Sequence, residues 1–308
     1  MGLDTRYSRF VERFGGGVRR TEPLSAYTTF RTGGAADLFV DATDANSLSR
    51  AVSLSQELTI PFFVIGGGSN LLVSDDGYRG LIIRNSILRR DVQGNEITAG
   101  AGESLNEVVD FATERSLTGL EFAAGIWGTI GGAVYGNAGA FGSQIGSVLK
   151  FAEVVDRDGK VRTEGRDYFR FSYRHSVLKE TGEIVTVACF ELQSGKRRDI
   201  ERRTEEIRSL RSRRHPVTPC SAGCFFKNVE DATQPHGKLP AGKLLEEVGA
   251  KAMRVGGAAV FAEHANIIVN TGAASSKDIR RLADILKEKV RQRFSIELQE
   301  EVVSLGEF

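Results

Sequence analysis

Only three cysteines occur in the 308 residues, at 189, 220 and 224. An odd and sparse set of thiols excludes a disulfide scaffold and points to a reducing compartment. The four histidines (175, 215, 236 and 264) stand singly, and no second Cys/His pair complements the C-x3-C spacing of Cys220 and Cys224. No metal site is therefore expected. An excess of one charge is missing too. With 41 Lys and Arg against 40 Asp and Glu, the net charge is +1, so no nucleic-acid partner is expected. No apolar run approaches the roughly 20 residues that span a bilayer, which removes the membrane as a partner. The start, "MGLDTRYSRFVERFGGG", has no apolar segment of the secretory kind. It begins Met-Gly, but Arg6 stands where N-myristoylation needs Ser or Thr. A cytoplasmic location is expected. No repeat of fixed period is present.

What the chain has in abundance is glycine, 35 residues of it. Nine fall between 119 and 146, interleaved with Leu120, Phe122, Ile126, Trp127, Ile130, Val134, Tyr135, Phe141 and Ile145. A flexible linker would be polar and serine-rich. Glycine among apolar residues instead describes a buried segment whose backbone approaches something closely. A second glycine element, "VIGGGSN" at 64–70, follows a strand pattern. Consecutive amides without side chains form a concave anion site, for which a phosphate or pyrophosphate is the natural guest. No helix opens after it, because "LLVS" follows, so neither a P-loop nor a dinucleotide fingerprint matches. A tight turn between strands explains "GGGSN" alone about as well. Two such elements in one chain fit a long ligand with a pyrophosphate middle and a flat ring system, such as a dinucleotide or a flavin.

A chain of this length exceeds one small core, and two or three lobes are expected. Apolar spacing predicts an amphipathic helix at 44–58, with Asp44 as N-cap, and a second at 104–117 through Leu105, Val108, Val109 and Ala112. A strand at 62–65 enters the glycine loop, short strands follow at 71–73 and 81–84, and "EITAGAG" is another. "FAEVVDRDGKVRTEG" reads as a hairpin turned at Asp158-Gly159. Alternation makes 184–192 a strand with Cys189 as a packed core thiol. The run 196–214 holds nine basic and four acidic residues over a thin stripe of Ile200, Thr204, Ile207 and Leu210. Without stacking aromatics it reads as a solvated helix connecting lobes. Helix "PAGKLLEEVG", a strand at 266–270, a helix at 275–294 and an acidic, strand-like tail complete the chain. Hairpins and segregated helices predict an α+β fold.

Residue type alone leaves the chemistry open. Arg174 in "FSYRHSVLK", placed after an aromatic strand start, has the fork that grips a carboxylate, and equally suits a surface ion pair. Glu301 before "VVSLG" is an inward carboxylate or a solvated edge charge. Cys224 in "CSAGCFFKN" is an apolar filler or a proton donor. No Ser-His-Asp arrangement emerges from the spacing.

In order along the chain stand "TTFRTGGAADLFV", "VIGGGSNLLVSDDGYRG", "GIWGTIGGAVYGNAGAFG", "FSYRHSVLK", "SAGCFFKN", "AGKLLEEVGAK", "HANIIVN" and "ELQEEVVSLG". This ordered set, spanning 28–306, resembles the UDP-N-acetylenolpyruvoylglucosamine reductase family. The resemblance implies a two-subdomain FAD-binding fold of the vanillyl-alcohol-oxidase type plus an α+β substrate-binding domain. The implied divisions are 1–84 and 85–205 for the two FAD-binding subdomains, 206–300 for the substrate-binding domain, and 301–308 for a C-terminal strand returning to the active site. The short stretch between Arg174 and Val185 implies the compact branch of the family, without an extra substrate-covering loop.

FAD is the implied cofactor and NADPH the reductant. The pyrophosphate cradle would be Gly66, Gly67, Gly68, Ser69 and Asn70, with Thr129, Gly132 and Asn137 along the flavin. The implied substrate is a UDP-sugar enolpyruvyl ether, and no obligate protein partner is implied. Flavin N5 passes hydride to the β-carbon, leaving an α-carbanion that needs a proton. Cys224 stands where the family most often has a serine as that proton donor. An ordinary thiol, with a pKa near about 8.5, is mostly protonated at neutral pH and a stronger acid than a hydroxyl. Arg174 would hold the enolpyruvyl carboxylate and Glu301 would assist the enolate, with Tyr173, Lys227 and Asn228 at the substrate. The chain departs from the family pattern at Trp127, Cys220 and Val229, each in place of proline, and at His215, in place of glutamine. A flavin oxidoreductase of the same fold acting on another sugar or alcohol, and a flavin-binding protein without turnover, stay open at this point.

Overall fold

Helix boundaries follow from capping chemistry. The helix Ala45–Glu57 begins where the Asp44 carboxylate accepts from the Ser47 amide at 2.7 Å while the Ser47 hydroxyl accepts from the Asp44 amide at 3.2 Å. The helix Ser276–Phe294 opens with the same reciprocal pair, Ser275 and Asp278, and closes on Ser295 in the left-handed region at φ 57°. The computed structural model describes residues 5–234 and 237–308; the Met-Gly start and His236 lie outside the described residues. The chain divides into two compact units. The first comprises residues up to Glu22, Ala36–Gly67 and Arg79–Leu210, and the second Pro23–Ala35, Gly68–Tyr78 and Arg211–Phe308.

Among the described residues the first unit has two larger sheets, each with its own core. One has the strand order Arg19–Pro23, Ala35–Ala42, Tyr78–Asn85, Phe62–Ile65, the last two running parallel. Its apolar face buries Leu38, Val40, Leu81 and Ile83 with Leu48 and Val52 of the helix Ala45–Glu57. Phe10 joins this core from a helix, Thr5–Phe14, that was not expected. Tyr7, Phe10, Val11 and Phe14 give it an apolar stripe at i, i+3, i+4 and i+7.

The other sheet is antiparallel, in the order Val161–Gly165, Leu149–Val155, Ile184–Glu191, Glu96–Gly100, Arg90–Gln93. The expected hairpin at Asp158-Gly159 is there, closed by the Gly159 amide on the Asp156 carbonyl with Gly159 at φ 83°. Cys189 is buried in its strand, as expected, and burial pushes its thiol pKa up. The second predicted helix ends earlier than expected, at Glu114. Ser116 turns into the left-handed region and Leu117–Thr118 pairs with Gln193–Ser194. A further helix, Ile130–Gly136, lies inside the glycine-rich stretch. In the basic helix Arg197–Ser212, Ile200, Thr204 and Ile207 are buried, but Leu210 is 49% exposed and does not extend the stripe.

In the second unit the strands Arg254–Val255, Ala258–Phe261 and His264–Asn270 form an antiparallel sheet. The helices Ala241–Glu247 and Ser276–Phe294 pack with it around Phe225, Phe226, Leu245, Ile268, Leu282 and Leu286. The acidic tail is a strand only over Val303–Leu305, paired parallel with Leu71–Val73. The α+β expectation holds. Among the described residues no helix is long and apolar enough to cross a membrane.

Candidate active site

In the first unit, the two glycine elements meet. A Cβ on Gly66 would lie 2.3 Å from Thr129 Oγ1, and one on Gly67 would lie 3.3 Å from Gly128 Cα. Only bare backbone at 66–67 fits there. The opposite wall is rigidly held. The Leu105 amide donates to Gly128 O, Ile130 to Glu103 O and Gly131 to Ala101 O, all at 2.9–3.0 Å. Thr129 caps the short helix by accepting from the Gly132 amide at 3.5 Å. Asn106 clamps the loop before it, accepting from Gly125 N at 2.6 Å and donating to Ile126 O at 2.7 Å. Neither glycine element shows this meeting by itself.

Tyr173 and Arg174 do not follow a strand start. They form the tip of a tight turn closed by reciprocal hydrogen bonds between Ser172 and His175 at 3.1 Å. Arg174 sits at φ 55°, an uncommon conformation for a side chain of this size. Its Nη1 donates to Gly139 O at 3.1 Å, and its own carbonyl accepts from Lys179 Nζ at 2.8 Å. The Tyr173 ring lies 5.4 Å from the guanidinium carbon.

Asn137, expected along the flavin, has a different place. It is 1% exposed and ends the helix in the left-handed region at φ 46°. Its Nδ2 donates to Ser172 O at 2.8 Å and to Gln144 Oε1 at 2.9 Å, and its Oδ1 accepts from Gly146 N at 3.0 Å. Both amide hydrogens are used, so the side chain ties the Arg174 turn to the helix end and has no donor left for a ligand.

The second unit gathers Cys224, Glu301, Asn70, Lys227 and Asn228. Cys224 bridges antiparallel to Ile267, and Phe226 bridges antiparallel to Glu300. Between them the Phe225 carbonyl accepts from the Glu301 amide at 2.8 Å. The Glu301 carbonyl accepts from Asn70 Nδ2 at 3.0 Å. Lys227 N donates to Gln299 O at 2.8 Å, and Asn228 Oδ1 accepts from Ala241 N at 3.2 Å at the start of a helix. Gly68, at φ 59°, tolerates no side chain, since its Cβ would lie 1.8 Å from Tyr27 O. Thr29 Oγ1 reaches Ser221 O at 2.6 Å and fastens the turn before Cys224. Cys220 O accepts from Asn270 N, three residues beyond Ile267. That spacing puts the two cysteines about 10 Å apart along the strand, beyond the roughly 7 Å a disulfide bridges. None of the three cysteines is in a disulfide.

Residues 215–305 match the family described as UDP-N-acetylenolpyruvoylglucosamine reductase, C-terminal domain, and residues 36–165 match the FAD binding domain family. A UDP-N-acetylenolpyruvoylglucosamine reductase of Desulforamulus reducens is 40% identical over 294 residues, covering 95% of each chain. One from Caldanaerobacter subterraneus is 38% identical over 287 residues, 93% of each. The chain belongs to the UDP-N-acetylenolpyruvoylglucosamine reductase family.

A solved reductase of this family, from Thermus caldophilus, superposes with a TM-score of 0.79 at 34% identity, over 94% of this chain and 98% of that one. A Phl p 4 variant described as a glucose oxidase shares the fold over 63% of this chain, with a TM-score of 0.52 at 16% identity. FAD is the cofactor this family architecture carries, and the first unit fits it. Gly66 lies against the Thr129 side chain and Gly67 against the Gly128 backbone with little room for a Cβ, the kind of side-chain-free loop that suits a pyrophosphate. Thr29 and Asn106, whose residue types alone do not single them out, hold backbone of the segments that carry the candidate residues.

Proposed function

We propose that the chain reduces the enolpyruvyl ether of UDP-N-acetylglucosamine to UDP-N-acetylmuramate, with NADPH as reductant, in the synthesis of peptidoglycan precursors. FAD, when bound, would supply the hydride relay between NADPH and the β-carbon of the enolpyruvyl group. The chain's own residues do the rest. Arg174 grips the substrate carboxylate and bears the charge that develops on it. Cys224 donates its Sγ proton to the α-carbon, which completes saturation of the double bond, and the thiolate regains a proton from water. Glu301 assists charge stabilisation at the enolate. Gly66, Gly67, Gly68, Ser69 and Asn70 take the FAD pyrophosphate, with Thr129 and Gly132 beside the flavin, and Tyr173, Lys227 and Asn228 contact the substrate. We assign residues 1–84 and 85–205 to flavin binding, 206–300 to substrate binding and 301–308 to the returning strand. Three cysteines outside any disulfide support a reducing, cytoplasmic setting.

One observation carries the assignment of roles. The segments bearing Cys224 and Glu301, 77 residues apart in sequence by their numbers, are hydrogen-bonded to each other through Phe225 O and Glu301 N. Neighbouring segments for two groups proposed to serve one carbon support the reading. The test is spectroscopic. The purified protein should be yellow, NADPH should bleach it without oxygen, and the enolpyruvyl substrate should restore the colour anaerobically. If oxygen alone restores it, the proposed reaction is wrong.

A further inference from the structure

The segment carrying Cys224 changes partner strand within three residues. Cys224 bridges to Ile267, whereas Phe226 bridges to Glu300. Phe225 spans the change: its amide donates to Asn266 O at 2.8 Å, and its carbonyl accepts from Glu301 N at 2.8 Å. Beside this crossing stands the Asn266 side chain. Its Oδ1 accepts from the Phe226 amide at 2.9 Å, and its Nδ2 donates to the Phe226 carbonyl at 2.8 Å. A primary amide offers a donor and an acceptor side by side, as a peptide group does. The Asn266 side chain thus stands in for a peptide unit where one ladder gives way to the other. Asn266 is 3% exposed and Phe226 1%, so water does not replace these bonds when they are broken.

We infer that Asn266 is a positioning residue for proton delivery, holding the Cys224 segment in register with the Glu301 segment. The inference rests on the roles proposed above for Cys224 and Glu301. Asn266 touches no reacting atom in this account. It acts through the Phe225–Phe226 backbone, whose two ends lead to the thiol on one side and to the carboxylate's strand on the other. Loss of the amide leaves a buried N–H and a buried C=O at Phe226 without partners. The segment then relaxes, and a shift of about 1 Å at a reacting group costs up to about a hundredfold in rate. Flavin reduction by NADPH needs no proton from Cys224 and should be spared.

Two variants grade the effect. Asn266→Asp keeps the acceptor for the Phe226 amide and loses the donor; the hydroxyl of Asn266→Ser, one bond shorter, falls short of both Phe226 groups. Each FAD-loaded variant is bleached anaerobically with NADPH and then mixed with the enolpyruvyl substrate, with both rates expressed per mole of bound FAD. Bleaching should stay within about twofold of the parent, while recolouring slows about tenfold in Asn266→Asp and about a hundredfold in Asn266→Ser. The half-saturating substrate concentration should move by less than about threefold, because a positioning loss falls on the chemical step. Independently of turnover, iodoacetamide alkylation of Cys224, followed by mass spectrometry, should change by about threefold or more in Asn266→Ser while Cys189 does not respond. The inference is overturned if bleaching and recolouring fall in the same proportion, if recolouring keeps the parent's rate, or if Cys224 alkylates as in the parent. A parent enzyme that the substrate does not recolour would instead sink the proposed reaction. The alkylation comparison would still decide whether Asn266 sets the position of the thiol.

Discussion

The amide of Glu301 donates to the carbonyl of Phe225, the residue that follows Cys224. A thiol and a carboxylate 77 residues apart by their numbers thus stand on segments fastened by a hydrogen bond. This makes the thiol testable as the proton source. Cys224→Ser, which keeps a protic group at the same place, should keep activity within about tenfold of the parent, whereas Cys224→Ala should slow recolouring by about 10²–10⁴-fold and leave bleaching by NADPH intact. Rapid mixing with separate NADPH and substrate phases measures both. An alanine variant that recolours at the parent's rate removes Cys224 from the chemistry.

Glycine at 66 answers a contact and glycine at 136 does not. A methyl group on Gly66 collides with Thr129 Oγ1, while one on Gly136 meets nothing within 4 Å. Gly66→Ala should therefore lower the FAD retained per folded chain, read from the ratio of flavin to protein absorbance. Gly136→Ala should retain the cofactor and raise helix stability by about 0.5–1 kcal/mol. Equal FAD content in the two variants would separate the 66–67 backbone from cofactor binding.

Much of this architecture is legible in the residues, and the exceptions have physical causes. Period and capping locate the helix after Asp44 and the long helix after Ser275, because a stripe and a cap are both local signals. The helix Ile130–Gly136 is hidden because Gly131, Gly132 and Gly136 lower its propensity. Gly131 is there because a Cβ would come within 3.0 Å of Ala101 Cβ, a tertiary fact. The helix Thr5–Phe14 carried a readable stripe under its arginines. At the candidate site, motif order points to Cys224, Arg174 and Glu301, but only the folded chain shows that the Arg174 turn hangs on Asn137, or that Asn266 joins two ladders. Such roles depend on partners far along the chain, which no window of residues contains.

Asn137 separates a structural role from a cofactor contact. Asn137→Gly keeps the left-handed backbone and deletes three hydrogen bonds made out of water. It should destabilise the fold by about 2–4 kcal/mol on chemical denaturation, from about 1 kcal/mol or more for each lost bond. Because the Ser172 anchor is lost, the Arg174 turn should loosen and the half-saturating concentration of the enolpyruvyl substrate should rise. FAD affinity per folded chain should match the parent's. A selective fall in FAD affinity with unchanged stability would return Asn137 to the flavin.

The rings of His215 and His264 lie 5.7 Å apart, and in both the neutral form is favoured by burial. Burial, with Arg211, His264 and Arg214 nearby, lowers the pKa of His215 to about 4; burial likewise lowers that of His264. Both values lie below the unfolded value of about 6.5, so the unfolded chain takes up protons first as pH falls. The contribution of the pair to stability is complete above about pH 6.5 and is lost as pH drops toward 4. Full burial of His215 would make that loss about 3 kcal/mol, and its partial exposure reduces the expected figure to about 1–2 kcal/mol. His215→Gln cannot take up that proton. Its melting temperature should track the parent's above pH 7 and fall less steeply from pH 6.5 to 4, as followed by calorimetry across that range. Parallel curves for parent and variant would show that His215 does not carry the acid sensitivity.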